Sequence, residues 1–74
     1  MSERELRVGA YAGRRSPERP RWVEIDGARA EVAEVEREWR EPDRLGFQVV
    51  LGDGKRMVLY YVLNDDRWLG AERP

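Results

Sequence analysis

Apolar and polar residues alternate with a period of two over most of the chain, the pattern of half-buried strands. Leu6, Val8, Ala10 and Ala12 share one side of 5–12, with Arg7 and Tyr11 on the other. Gly13 to Pro20 then breaks the pattern, because Pro17 and Pro20 forbid a central strand or a helix interior there. Arg21 to Ile25 resumes an extended pattern and runs into Asp26-Gly27. That dipeptide is a strong hairpin signal, since both residues tolerate the positive φ of a two-residue turn. Leu45, Phe47, Val49 and Leu51 alternate with Gly46, Gln48 and Val50. Gly52-Asp53-Gly54 turns the chain, Met57 to Leu63 forms the next strand, and Asn64-Asp65-Asp66 turns it into a last strand at 67–69.

The register of the central hairpin is testable from the pattern alone. A three-residue turn at 52–54 sets Leu51 opposite Lys55, Val49 opposite Met57, Phe47 opposite Leu59 and Leu45 opposite Tyr61. All the core candidates then share one face. A two-residue turn slips the pairing by one and scatters apolar residues over both faces, so the first register is expected. Val58, Tyr60 and Val62 are left on the second face. Either another segment covers them or they form an apolar patch that marks an interface.

Residues 28–40, ARAEVAEVEREWR, admit two readings. Ala, Glu and Arg dominate, Ala28, Val32, Val35 and Trp39 follow a helical spacing, and Pro42 stops a helix. As a strand, Ala28, Ala30 and Val32 line one face. One extra residue at Val32-Ala33, a β-bulge, then lets Ala33, Val35, Arg37 and Trp39 alternate. The Asp-Gly turn before this segment wants a strand on each side.

The order Trp22, Gly27, Val32, Val35, Trp39-Arg40-Glu41, an aromatic strand and then Trp68-Leu69 resembles a family of small bacterial β domains with no assigned activity. In that family an arginine-rich, tryptophan-containing hairpin leads into a V-x-x-V-x-x-x-W segment, and the likeness covers about residues 5–70. It implies a mostly β fold. Some members resemble genes beside DNA-damage-tolerance polymerases, which implies no activity. The resemblance favours a strand at 28–40. The expected fold is therefore all-β, one domain over 1–74: a strongly bent antiparallel meander of five or six strands, SH3-like or a partly open barrel. An α+β fold with a helix at 28–40 is the alternative.

Length sharpens this picture. A chain of 74 residues buries only about 60% of its unfolded surface, so its core is thin and a second subunit is one way to supplement it. There is no cysteine for a disulfide and no histidine for a transition metal, so no cofactor or metal is expected. The longest apolar run, Met57 to Leu63, is far short of the roughly 20 residues of a membrane span. The N-terminus has no apolar stretch of a signal peptide, and a soluble, cytoplasmic protein is expected.

Catalytic chemistry has little to draw on. Threonine, cysteine and histidine are absent, and the only serines are Ser2 in the terminus and Ser16 in the proline-rich stretch. Asp65 and Asp66 are ordinary turn residues, GDGK lacks the length and hydroxyl of a phosphate loop, and no enzyme is expected.

Charge points to binding instead. The formal net charge is −1, which argues against a general polyanion binder. Residues 14–22 carry four arginines against Glu18, a local charge of +3. Residues 24–41 carry seven carboxylates against three arginines, a local charge of −4. Arg14, Arg15, Arg19 and Arg21 are suited to bidentate contact with an acidic partner or phosphate, and Trp22 offers a stacking face or a core anchor. The arginine stretch of one subunit and the acidic segment of another are also complementary. Trp39 and Trp68 are expected to fill the core, with an aromatic groove for an extended peptide as the other reading. The expected function is a non-enzymatic interaction module, a homodimer through Val58, Tyr60 and Val62 that also binds a protein partner. Nucleic-acid binding by the arginines and Trp22 is the alternative.

Overall fold

The computed structural model describes residues 3–12 and 17–72. Six antiparallel strands follow one another around a closed barrel: β1 (Arg4–Ala12), β2 (Pro17–Ile25), β3 (Ala28–Arg40), β4 (Arg44–Leu51), β5 (Arg56–Val62) and β6 (Arg67–Glu72). β6 returns to pair with β1, with Leu6 opposite Trp68, so the meander closes on itself. There is no helix among the described residues, and the strand reading of 28–40 holds.

The turns form where the residue types allow them. Asp26 and Gly27 take φ of 51° and 82°, the pair of positive values of a two-residue primed turn, and Ile25 faces Ala28 across it. Gly54, at φ 90°, completes the three-residue turn between β4 and β5. There the Leu51 amide donates to the Lys55 carbonyl, and Asp53 Oδ1 accepts from the Lys55 amide. This turn fixes the predicted register: Val49 faces Met57, Phe47 faces Leu59 and Leu45 faces Tyr61.

Because paired residues share a face, one set of side chains points into the barrel. Val23, Phe47, Val49, Leu51, Met57, Leu59 and Trp68 form the buried core, with Leu6, Val8 and Val35 packed against it. Trp68 fills the barrel as expected, tilted against Phe47 and Tyr61 at centroid distances of 5.7 and 5.3 Å. Gly70 faces inward because there is no room for more: a Cβ there would lie 2.3 Å from the Leu6 Cδ1.

β3 explains both the closure and its weak points. Its first part, Ala28 to Glu31, pairs with β2, and its second, Val32 to Arg40, pairs with β4. The change of partner coincides with the predicted bulge between Val32 and Glu34. Beyond it, the β2–β3 ladder stops at Trp22 opposite Glu31. Pro20 has no amide to continue it. A groove of about 550 Å³ opens there, with Arg19, Pro20 and Arg21 on one wall and Val32 to Val35 on the other. Charged side chains and bulges along such an unpaired edge discourage pairing with another chain.

A second bulge, between Val35 and Arg37, is absent from the sequence-based expectation. It moves the alternation by one residue. Val35 still faces the buried Val49, but Trp39 now lies opposite Gly46, on the outer face. The expectation that Trp39 fills the core is therefore corrected. Of the two readings open for Trp22, a stacking face and a core anchor, the outer one holds: it pairs with Gly9 and Glu31 on the outer face and is half-buried. The even alternation expected of 5–12 is also broken, by irregular register on both sides of Ala10.

Candidate interaction surface

Each outer tryptophan lies flat against a glycine on the neighbouring strand. A Cβ on Gly9 would lie 2.0 Å from the Trp22 Nε1, and a Cβ on Gly46 would lie 2.2 Å from the Trp39 Cε2. Both indoles thus occupy space that any other residue would fill, an aromatic covering a glycine on an open sheet face. Arg29 stacks on Trp22 with its guanidinium carbon 4.0 Å from the ring centroid.

The Trp39 side of the barrel is the more extensive. Register places Trp39, Gly46, Tyr60 and Leu69 in one tier across β3 to β6. Trp39 and Tyr60 meet edge to face across Gly46, with centroids 5.9 Å apart and planes at 85°. The next tiers place Val58 beside Gln48 and Ala71, and Val62 beside Arg44 and Arg67. The result is an apolar strip on the outside of the barrel.

Polar groups hold this strip in place. Arg44 lies over Tyr60, its guanidinium carbon 3.8 Å from the ring centroid. Its Nε donates to Glu41 Oε1 at 3.0 Å, and its Nη1 donates to both Glu3 carboxylate oxygens at 3.2 Å. Trp39 Nε1 donates to Glu41 Oε2 at 2.8 Å. These bonds, Trp39's first and Arg44's next, hold the Glu41 carboxyl below the usual carboxylate range. At the other margin Glu36, projected by the second bulge, accepts from Arg56 and Gln48 at 3.1 Å each. Its carboxyl is lowered by the same two partners, Arg56 first.

The predicted site residues divide into two places. Val58, Tyr60 and Val62 lie together on the outer strip, but Val58 is only 8% exposed, covered within the sheet face rather than bare. Tyr60 and Val62 are half-buried. Arg19 lies on the unpaired wall of β2, where its Nε donates to Glu38 Oε1 at 2.7 Å. Arg19 of the arginine stretch therefore meets the acidic segment of its own chain. Arg21 lines the same groove opposite Glu31 and Glu34, and Trp22 follows it on the outer face. Arg14 and Arg15 lie outside the described residues.

No family model, no curated protein and no solved structure matches this chain. The candidate surface therefore rests on its geometry alone. Sequence reasoning missed Trp39, Leu69, Arg44 and Glu41 as members of the outer strip. One signal was present: Gly46 interrupts an otherwise large-residue strand, and such a gap calls for a covering side chain. No helix among the described residues is long and apolar enough to cross a membrane.

Proposed function

We propose that this chain is a small, non-enzymatic interaction module of the cytoplasm that self-associates, and docks a protein partner, through the outer face of β4 to β6. One observation carries this reading. The Trp39–Tyr60–Leu69 tier, flanked by Val58 and Val62, places apolar side chains on the outside of a barrel that has a separate buried core within. Aromatic residues with an arginine, bordered by charges of both signs, are the composition of interface centres. Here Arg44 and Arg67 lie at one margin, and Glu36 and Arg56 at the other. A border of both signs suits a two-fold interface, in which one patch must complement itself.

The nucleic-acid alternative has less in its favour. Arg19 is engaged by Glu38, and Glu31 and Glu34 line the groove beside Arg21. These carboxylates oppose the field that a phosphate backbone would need. Oligomeric state, measured by sedimentation equilibrium, tests the leading reading. The wild type is expected to be a dimer and Tyr60→Glu a monomer with an unchanged β spectrum. A wild type that stays monomeric at high concentration would refute self-association.

A further inference from the structure

At the end of the barrel closed by the β2–β3 turn, β3 lacks a neighbour on its other side. β4 ends at Leu51, opposite Val32, so Ala28 to Ala30 have no ladder partner there. Ala28 and Ala30 lie opposite Ile25 and Val23 and share their inner face. The equivalent inward positions of β4 and β5 carry Phe, Val, Leu and Met. Two methyl groups where the barrel elsewhere holds larger side chains leave it hollow at this end. The hollow measures about 470 Å³; Ile25, Ala28 and Ala30 supply its accessible apolar surface, and Leu51 and Met57 border it almost fully buried.

Six charged side chains surround this hollow, and three are already engaged. Asp26 pairs with Arg4 at 3.5 Å, Arg56 with Glu36 at 3.1 Å, and Arg29 stacks on Trp22. Three remain. Among the described residues the Lys55 ammonium has no side-chain partner, and neither does the Glu72 carboxylate, which lies opposite Met57 on the inner face. Asp53 accepts only the Lys55 backbone amide. The pocket thus offers one uncompensated cation and two carboxylates over an apolar floor. Its size falls in the range of small-molecule sites, which favour barrel mouths.

From this arrangement we infer that the barrel mouth binds a free α-amino acid with an aliphatic side chain. The ligand carboxylate meets Lys55, its ammonium lies between Glu72 and Asp53, and its side chain covers Ile25 and Ala30. A ligand with only one charge leaves part of the rim unused, whereas a zwitterion with an apolar body uses all of it. The inference does not depend on the outer strip of β4 to β6.

Amide chemical shifts of the full chain, followed during titration with L-leucine, N-acetyl-L-leucine and L-leucinamide, test it. Leucine is expected to shift the amides of 28–30 and 55–57, with either capped analogue about tenfold weaker. Lys55→Gln is expected to weaken leucine about tenfold while leaving leucinamide unchanged. Ala30→Leu, which fills the floor, is expected to abolish binding with the native spectrum kept. The inference is overturned if leucine moves none of these amides up to its solubility limit. Equal binding of leucinamide and leucine, or undiminished binding to Ala30→Leu, also overturns it.

Discussion

Gly46→Ala sets two effects of opposite sign against each other. In a strand, replacing Gly by Ala ordinarily stabilises by about 0.5–1 kcal/mol, because the unfolded chain loses freedom. Gly46 does not need a positive φ, so backbone strain does not enter. The new methyl, however, would lie 2.2 Å from Trp39 Cε2 and 2.4 Å from its Cζ2. The indole must leave the sheet face. Its edge-to-face contact with Tyr60 is worth about 0.5–1.5 kcal/mol, and re-exposing part of the ring costs about 1–1.5 kcal/mol more. The net effect is a destabilisation of about 1–2 kcal/mol, or about 4–16 °C in Tm for a domain of this size. Thermal unfolding by circular dichroism measures it. The double-mutant cycle isolates the cause: in a Trp39→Ala background the same change should be neutral or stabilising. A Gly46→Ala protein as stable as wild type would refute the proposed seat of Trp39. So would an equal loss in both backgrounds.

Leu59 is fully buried, so Leu59→Ala should cost about 2–5 kcal/mol, a large share of the roughly 4–11 kcal/mol a domain of this length commands; urea unfolding reads the loss. Gly70→Ala places a methyl 2.3 Å from Leu6 Cδ1 and near Met57 and Leu59, and overpacking of about 1–3 kcal/mol is expected in the same assay. Glu36 and Glu41 are both held below the usual carboxylate range in the fold, Glu36 chiefly by Arg56 and Glu41 chiefly by Trp39. Their folded pKa values therefore lie under their unfolded ones. Their contribution is present above the unfolded carboxylate range and lost as pH falls through the folded values, so Tm should decline on acidification. Glu36→Gln should flatten that decline, and an unaltered acid profile would show that the Arg56 bond contributes nothing. Tyr61 works in the other direction: its hydroxyl donates to Asp66, which with burial raises its pKa, so that contribution persists below its unfolded value and disappears in strong alkali. Tyr61→Phe should remove the alkaline loss seen in a Tm–pH series.

Much of the barrel was legible because its signals are local. Asp26-Gly27 can make a primed turn without strain, and the three-residue turn at Gly52 fixes which face of β4 and β5 is buried. The bulge at Ala33 was legible too, as the insertion that keeps Ala30, Val32 and Val35 facing the core. The second bulge was not. An extra residue at Glu36 leaves no mark in hydrophobic periodicity, because a charged residue fits the surface in either register. Its reward lies in tertiary structure, where Glu36 meets Gln48 on β4 and Arg56 on β5. That single insertion turned Trp39 outward and built the strip that the sequence revealed only as Val58, Tyr60 and Val62. For Trp22 a stacking face and a core anchor both stayed open, because its seat is Gly9 on another strand and the size of a tryptophan does not say which face it takes. The segregated charge between residues 14–22 and 24–41 was visible, but its use within one chain through Arg19 and Glu38 required the fold.

The outer face of β4 to β6 as a self-association surface is tested most directly by amide chemical shifts of the wild type over a dilution series. Self-association through this face predicts concentration-dependent shifts confined to Trp39, Gly46, Val58 to Val62 and Leu69, and their absence in Tyr60→Glu. Spectra that do not change with concentration, or changes centred instead on the Arg19–Glu38 groove, would contradict it.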